Sequence, residues 1–420
     1  MGVSRETLRV MADDAVRKVL RLAAGHPPAV CVPSPPGAGK SGLVERVAVH
    51  HAGLLGEPVA VACVTRSQSR ELLERLTKWE RIDPVWFVPK DQRIEEIEGV
   101  RIARSPKEIN PEGNTVVVAT TAKWSRSHEH FPLLVCDEAW QVPFAQFVTV
   151  APLAESLILV GDPAQIAPVV SISIERWGEE GAAPQRPAPE VLRARTPEFV
   201  QQVALPATRR LPADTAAVVS SAFYPTMPFG SLAPDDRLVG AKDWDGDRSL
   251  SITEVGSPRL GRHDPFLAAE AARFVRAALV GEIVGESGKR AVTPRNVGVV
   301  CAYVDQVPQV RAALGSELAE VLVETANRWQ GLERDVIVGL HPLSGEVAPQ
   351  PYAMDAGRLC VMCSRHRVAC KLIGRPGLRQ AAAAGSGGAE RRFGDDDDLA
   401  RRGWRAHMTL LAREGNAINI

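Results

Sequence analysis

Apolar residues form short uninterrupted runs at Ala29–Val32, Val59–Val64, Thr115–Ala119, Leu133–Cys136 and Leu157–Val160. Such runs are too short and too rich in valine for buried helices, and they predict strands of a parallel sheet covered on both faces. Between them the period changes. After Ser4, a capping residue, Leu8, Met11, Ala12, Ala15, Val16, Val19 and Leu20 recur at three- and four-residue spacing, which predicts a helix that packs on this sheet. Ser67–Leu76 predicts another. A Pro-rich stretch, Ala182–Pro189, then marks the exit from a first domain, and strand patterns resume at Ser249–Val255, Val297–Ala302, Val321–Val323, Asp335–Leu340 and Ala369–Ile373, with a helix at Phe266–Val280. The pattern therefore divides into an α/β domain over 1–190, a second over 197–377, and a tail over 378–420. In the tail, the alanine, glycine and serine from Ala381, Arg391-Arg392 and the run Asp395–Asp398 read as a flexible linker. Leu399–Arg413 regains helical spacing, with Trp404, Met408 and Leu411 on one side.

Composition adds limits. With 420 residues, 45% apolar and 24% charged, the chain can build two or three soluble domains. Its 50 basic and 50 acidic residues cancel, so any phosphate-binding surface has to be a local groove. No apolar run approaches the ~18–20 residues that cross a bilayer, and Met1–Gly25 is amphipathic, unlike a signal segment. A cytoplasmic protein with no membrane partner is expected. Cys31, Cys63, Cys136 and Cys301 lie in or beside apolar strands and read as reduced core residues. Cys360, Cys363, His366 and Cys370 have a spacing that superficially resembles a zinc site.

The first strand breaks into Pro33-Ser-Pro-Pro-Gly-Ala-Gly-Lys-Ser41. Gly37 and Gly39 can turn successive backbone amides toward an anion, Pro36 and Ala38 complete the loop, Lys40 can reach outer phosphates, and the Ser41 hydroxyl can ligate Mg²⁺. Ser34 stands where the phosphate-loop pattern begins with glycine. The strand Leu133–Cys136 ends in Asp137-Glu138: Asp137 can hold Mg²⁺ through its water shell, and Glu138 can orient or deprotonate an attacking water. The next strand ends in Gly161-Asp-Pro-Ala-Gln165, where the Gln165 amide is placed to sense a γ-phosphate.

These segments resemble superfamily 1 helicases, in particular the branch related to nonsense-decay and DNA-replication helicases. "PPGAGKS", "DEAWQ" and "LILVGDPAQIAPVV" are similar to its motifs I, II and III, and "LPATRRLP", "VETANRWQGLERDVIV" and "RLCVMCSRHR" to motifs IV, V and VI. The resemblance implies two RecA-like P-loop domains in tandem, a minimal helicase core with a short helical C-terminal tail. It implies ATP and Mg²⁺ as cofactors, Arg210 as a nucleotide contact, Arg365 as an arginine finger, and Gly331 and Glu333 in the Q-G-x-E segment, with Glu333 toward the ribose. It also explains Cys360 and Cys363 as replacements of small residues ahead of Ser364-Arg365, without a metal. Thr65, Thr120 or Thr121, and Thr325 match positions that grip single-stranded DNA or RNA, while Tyr303 and Gln306 read as structural.

The chain departs from the family at several places. Ala12 stands where an adenine-reading glutamine is expected. Val64 and Arg66, Arg209 and Asn327 replace common residues of motifs Ia, IV and V. The interval from Leu76 to Thr115 is too short for the accessory barrel or stalk of many relatives. Two functions follow: an ATPase that moves on nucleic acid, or a nucleotide-gated regulatory subunit that acts through a protein partner docked on 378–420.

Overall fold

The computed structural model describes residues 3–168, 183–244, 246–385 and 395–413, giving the backbone alone at 395–400 and 413. Val169-Val170, Ala182 and Arg391-Arg392, named above, lie outside the described residues. The chain divides into two compact units, one of Arg9–Pro163 with Ala167–Pro206, the other of Met1–Leu8, Ala164–Ile166 and Ala207–Ile420.

The first unit is built on one sheet whose strands are β1 (Ala29–Pro33), β2 (Val59–Cys63), β3 (Asp83–Phe87), β4 (Arg101–Ala103), β5 (Thr115–Thr120), β6 (Phe131–Cys136), β7 (Ala154–Gly161) and β8 (Val200–Gln202). Their order is β4-β3-β5-β2-β6-β7-β1-β8, and every pairing is parallel. Burial on both faces explains the unbroken apolar runs: Val30, Val32, Val59, Val61, Val116 and Val118 pack to one side with Val19 and Ala23 of the first helix and Leu72, Leu73 and Leu76 of helix Arg66–Leu76. Cys31, Ala60, Ala62, Val117 and Leu134 pack to the other side with Trp124, Trp140 and Phe147. The segment from Leu76 to Thr115 holds β3, β4 and the one-turn helix Pro106–Ile109.

Two of these strands change the sequence picture. The composition places the exit from the first domain at Ala182–Pro189; instead helix Ala188–Arg195 leads into β8, whose register along β1 keeps the chain to Pro206 in this unit. Nothing in the apolar pattern announces β3, because Asp83-Pro84 interrupts its start and it is only Asp83–Phe87 long.

In the second unit a parallel sheet runs β12-β18-β17-β15-β16. Its strands are β12 (Leu250–Glu254), β15 (Val297–Cys301), β16 (Leu322–Thr325), β17 (Arg334–Leu340) and β18 (His366–Gly374). The preceding β9 (Ala207–Thr208) pairs with β10 (Gly230–Ser231), while β11 (Arg237–Val239), β13 (Glu282–Gly285) and β14 (Gly288–Ala291) form an antiparallel sheet that the sequence pattern does not indicate. Trp329 is fully buried beneath the main sheet, its indole donating to Val299 O at 3.0 Å. It fits because residue 298 is glycine: a Cβ there would collide with the ring.

The tail departs from its expected form. Ala381 and Ala382 are buried in helix Leu378–Ala384 rather than in a linker, and the Asp395–Asp398 run opens helix Asp395–Arg413. That helix packs on its own unit through Ala406, His407, Leu410 and Leu411, whereas Trp404 is 38% exposed. Of the expected stripe, Leu411 is buried and Met408 packs against the core, and only Trp404 stays outside; the close approach is made at Gly403, where a Cβ would run into the Met354 carbonyl. Among the described residues no helix is long and apolar enough to cross a membrane.

Candidate nucleotide site

The phosphate-loop sequence takes the backbone form its glycines allow. Gly37 and Gly39 have φ of 70° and 88°, in the left-handed region, and Gly39 caps helix Lys40–Val49. Pro36 is buried; Gly37, Ala38 and Ser41 are half-buried along the loop and first turn. Ser34, at the motif's first position, is fully buried with its hydroxyl donating to Val32 O at 3.0 Å and its amide to Gly161 O at 2.8 Å. Ser34 is absent from the positive-φ positions, so glycine is not required there.

Strand order brings the acidic residues to the lysine. β7 lies beside β1 and β6 beside β7, so the carboxyl ends of all three strands share one edge. Lys40 Nζ is 3.7 Å from Glu138 Oε1 and 3.9 Å from Asp162 Oδ2. Asp162, in the Gly161-Asp162-Pro163 turn, is a component that sequence reasoning passed over. Glu138 has φ 53°, a costly left-handed conformation for a residue with a Cβ. Its amide donates to Asp137 Oδ1 at 3.0 Å. Burial, then the neighbouring Glu138 charge, pushes the Asp137 carboxyl up to about 7, against the opposing pull of Lys40. A hydroxyl at Ser41 and crowded carboxylates form an oxygen donor set suited to a hard divalent cation.

Gln165 belongs to the second unit, where a Cβ at Gly357 would press on its carbonyl. The arginines of motifs IV and VI lie in that unit as well. Arg365 is 2% exposed, at the end of helix Ala356–Cys363. Arg210 pairs with Glu333 and donates to Ser364 O at 3.2 Å. Gly331 has φ 81°. Glu333 also pairs with Arg367; although burial works in the opposite direction, Arg210 and Arg367 hold its carboxyl below the usual range. Glu333, expected toward a ribose, is thus engaged by two arginines of its own unit.

The threonines fall into different settings. Thr65 caps helix Arg66–Leu76 in a reciprocal box with Gln68, and Thr120 caps the turn Thr121–Trp124 by accepting from Lys123 N at 3.3 Å. Thr121 is buried, its hydroxyl donating to Cys63 O at 3.2 Å, which leaves Thr120 as the more accessible of the two. Thr325 is 8% exposed at the end of β16. Lys123, which the sequence reading did not single out, lies 3.9 Å above the Phe87 ring centroid. Gln306 Oε1 accepts from the Ala302 and Tyr303 amides at 3.0 and 3.1 Å, a structural role.

Among the described residues no group of three or more His, Cys, Asp and Glu side chains is arranged to hold a metal ion. Within the spaced cluster, His366 Nε2 pairs with the Thr215 hydroxyl and the Cys370 thiol points to Met362 O. Burial pushes the Cys363 and Cys370 thiols well up, so they remain protonated.

The phosphate loop and the acidic strand ends of the first unit are those of a P-loop fold, and the parallel sheet of each unit is consistent with RecA-like domains in tandem, similar to those of superfamily 1 helicases. More particularly, residues 269–377 match the AAA_12 family model, described as an AAA domain. Over 273 residues the chain is 26% identical to the "DNA replication ATP-dependent helicase/nuclease dna2" of Schizosaccharomyces pombe, an alignment that covers 58% of this chain and 18% of that protein. The chain therefore spans less than a fifth of that relative's length. Among solved structures, an Arterivirus nonstructural protein 10 helicase is similar at a TM-score of 0.47 and 15% identity, covering 86% of this chain and 62% of its own. The E. coli DExH-box NTPase HrpB gives a TM-score of 0.45 and 14% identity, with 90% and 42% covered.

Proposed function

We propose that the chain is a nucleic-acid-stimulated ATPase that uses ATP hydrolysis to translocate on, or unwind, DNA or RNA. The observation that carries this reading is Lys40, presented by a loop of left-handed glycines and facing Glu138 and Asp162 on neighbouring strand ends. Loop amides from Pro36 to Ser41 and the Lys40 ammonium hold the phosphates. Ser41 and Asp137 are the residues that would hold Mg²⁺, which when bound neutralises charge on the β- and γ-phosphate oxygens. Glu138 orients and deprotonates the attacking water. Gln165 senses the γ-phosphate, and Arg210 and Arg365 offset charge that develops as it leaves.

Thr65, Thr120 and Thr325 are proposed to grip the sugar-phosphate track, since short hydroxyls at strand ends suit recognition that ignores sequence. Similarity to a DNA replication helicase/nuclease favours DNA as the track. The test is ATP turnover by the purified chain alone, with single-stranded DNA and with single-stranded RNA. Turnover stimulated by single-stranded DNA is expected; absence of ATP hydrolysis under all three conditions overturns the reading.

A further inference from the structure

Glu333 is shared. Arg210 Nε donates to one of its carboxylate oxygens and Arg367 Nη2 to the other. The three residues come from separate places in the second unit: Arg210 follows β9, Glu333 immediately precedes β17, and Arg367 is on β18. Arg210 is the more enclosed arginine, with its side chain 14% exposed against 58% for Arg367.

Two local features aim Arg367 at this carboxylate. Arg334 of β17 lies opposite His366, but Val336 lies opposite Ala369, so β18 carries one residue more than its partner there. A bulge of this kind turns side chains out of strict alternation. The adjacent His366 is fully buried, with Nε2 3.0 Å from the Thr215 hydroxyl. Thr215 shares a 2.6 Å hydrogen bond with Ser249, which is bonded in turn to Asp214. This chain holds His366 inward, leaving Arg367 on the outer side.

One carboxylate holding two guanidinium groups holds each less firmly than it would hold one, because the cations repel and divide its charge. We propose that Arg367 is a positioning residue: by sharing Glu333 it sets how readily Arg210 is released to an incoming triphosphate. This rests on the reading above that Arg210 acts on the γ-phosphate. Removing Arg367 concentrates Glu333 on Arg210 and retains it away from substrate. Removing the carboxylate releases Arg210 from its ion pair, leaving its hydrogen bond to Ser364 O, whatever stands at 367.

The test compares Arg367→Ala, Arg367→Lys, Glu333→Gln and the double variant Arg367→Ala/Glu333→Gln in the full chain. Under saturating single-stranded DNA, Arg367→Ala should lower kcat about tenfold, the scale of one charge-assisted hydrogen bond, with KM for ATP nearly unchanged. Arg367→Lys should recover most of that loss, and Arg367→Ala should add nothing in the Glu333→Gln background. A role in folding alone would lower the melting temperature and would act equally in both backgrounds. A second readout needs no turnover: the ¹⁵N resonance of Arg210 Nε, assigned through Arg210→Lys, should exchange its proton with water more slowly in Arg367→Ala and faster in Glu333→Gln. Unchanged exchange in both, or an equal kcat loss with and without Glu333, overturns the proposal. A wild-type chain that hydrolyses no ATP but shows these exchange shifts separates failure of the ATPase reading from failure of the tether.

Discussion

The two units share a parallel sheet, yet they distribute charge in opposite ways. In the first, Lys40 faces Glu138 and Asp162, and the crowded Asp137 is pushed up to about 7. The balance there is acidic, which suits the divalent cation that the proposed function assigns to it. In the second, Arg210 and Arg367 close on Glu333 and hold its carboxyl below the usual range. That cluster sets two guanidinium groups against one carboxylate, so each arginine is held by a partner it shares. On the function proposed above, the comparison separates holding a nucleotide, assigned to residues of the first unit, from acting on its γ-phosphate, assigned to arginines of the second.

Substitutions in the two clusters give the largest expected effects. Lys40→Ala should abolish productive ATP binding, whereas Glu138→Gln should retain binding and lower turnover by roughly 10²–10⁴-fold, the usual contribution of a positioned general base. Arg365→Ala should lower turnover by about 10³-fold or more with little change in affinity, as expected for an arginine that acts on the leaving phosphoryl group. Isothermal titration with a non-hydrolysable analogue, alongside steady-state hydrolysis, separates the two effects. If Arg365→Ala and Lys40→Ala lose affinity to the same extent, the division of labour between the units is wrong.

The phosphate loop, the Asp137-Glu138 strand end and the central strands of both sheets were legible because each is encoded locally, by glycine placement or by a continuous apolar run. Asp162 was missed because its importance depends on β7 lying beside β1, a pairing between residues far apart in sequence. The Glu333 tether was missed for a related reason: motif position suggests what a residue can touch, while Arg367 reaches it through a bulge that no spacing announces. β8 and the antiparallel β11-β13-β14 sheet escaped notice because strands this short carry too little pattern, and their hydrogen-bonding partners decide them. In the tail the helix with Met408 and Leu411 on its packed side was legible, whereas composition misread Ala381 and Ala382 as linker and spacing alone put Trp404 with the packed side.

A smaller effect tests whether the second unit's interior is also the more acid-sensitive. His407 is fully buried where the tail helix docks, donating through Nε2 to Ala353 O at 3.1 Å, with the His341 ring 5.4 Å away. Burial lowers His407 to about 4, and burial followed by the His407 charge lowers His341 well below 6.5. The folded state therefore holds His407 neutral, while the unfolded chain takes up a proton near its ordinary value. Its contribution is intact above pH ~6.5 and is lost as pH falls toward ~4, by up to about 3 kcal/mol. Gln in place of His407 keeps a donor toward Ala353 and removes the titration. Melting at pH 5 and 7.5 should show a smaller acid loss in His407→Gln than in the wild type; equal losses would place the sensitivity elsewhere. In the first unit, burial also lowers His51, but Glu57 opposes that shift, so His51→Gln should change the acid loss less.

The smallest effect concerns two of the three threonines proposed to hold the track, Thr65 of the first unit and Thr325 of the second. Thr65 already serves the fold, since its hydroxyl accepts from the Gln68 amide at 3.3 Å while Gln68 Oε1 accepts from the Thr65 amide at 2.9 Å. Losing an N-cap costs about 1 kcal/mol, so Thr65→Ala should lower the melting temperature by a few degrees, and Thr65→Ser should restore it. Capping uses the oxygen as an acceptor. The hydroxyl proton, directed in this structure toward Ser67 Oγ or Gln68 Oε1 at 3.1 Å, can be redirected to a phosphate without breaking the cap. Thr65→Ala should therefore weaken binding of single-stranded DNA a few-fold beyond what its stability loss explains, on the scale of one neutral hydrogen bond. Thr325, 8% exposed, has a less accessible hydroxyl, and Thr325→Ala should affect DNA binding less. Fluorescence anisotropy with a labelled oligonucleotide, well below the melting temperature of every variant, measures both. Wild-type affinity in Thr65→Ala would reduce that residue to a cap, and a larger loss at Thr325 would reverse which unit holds the track more firmly.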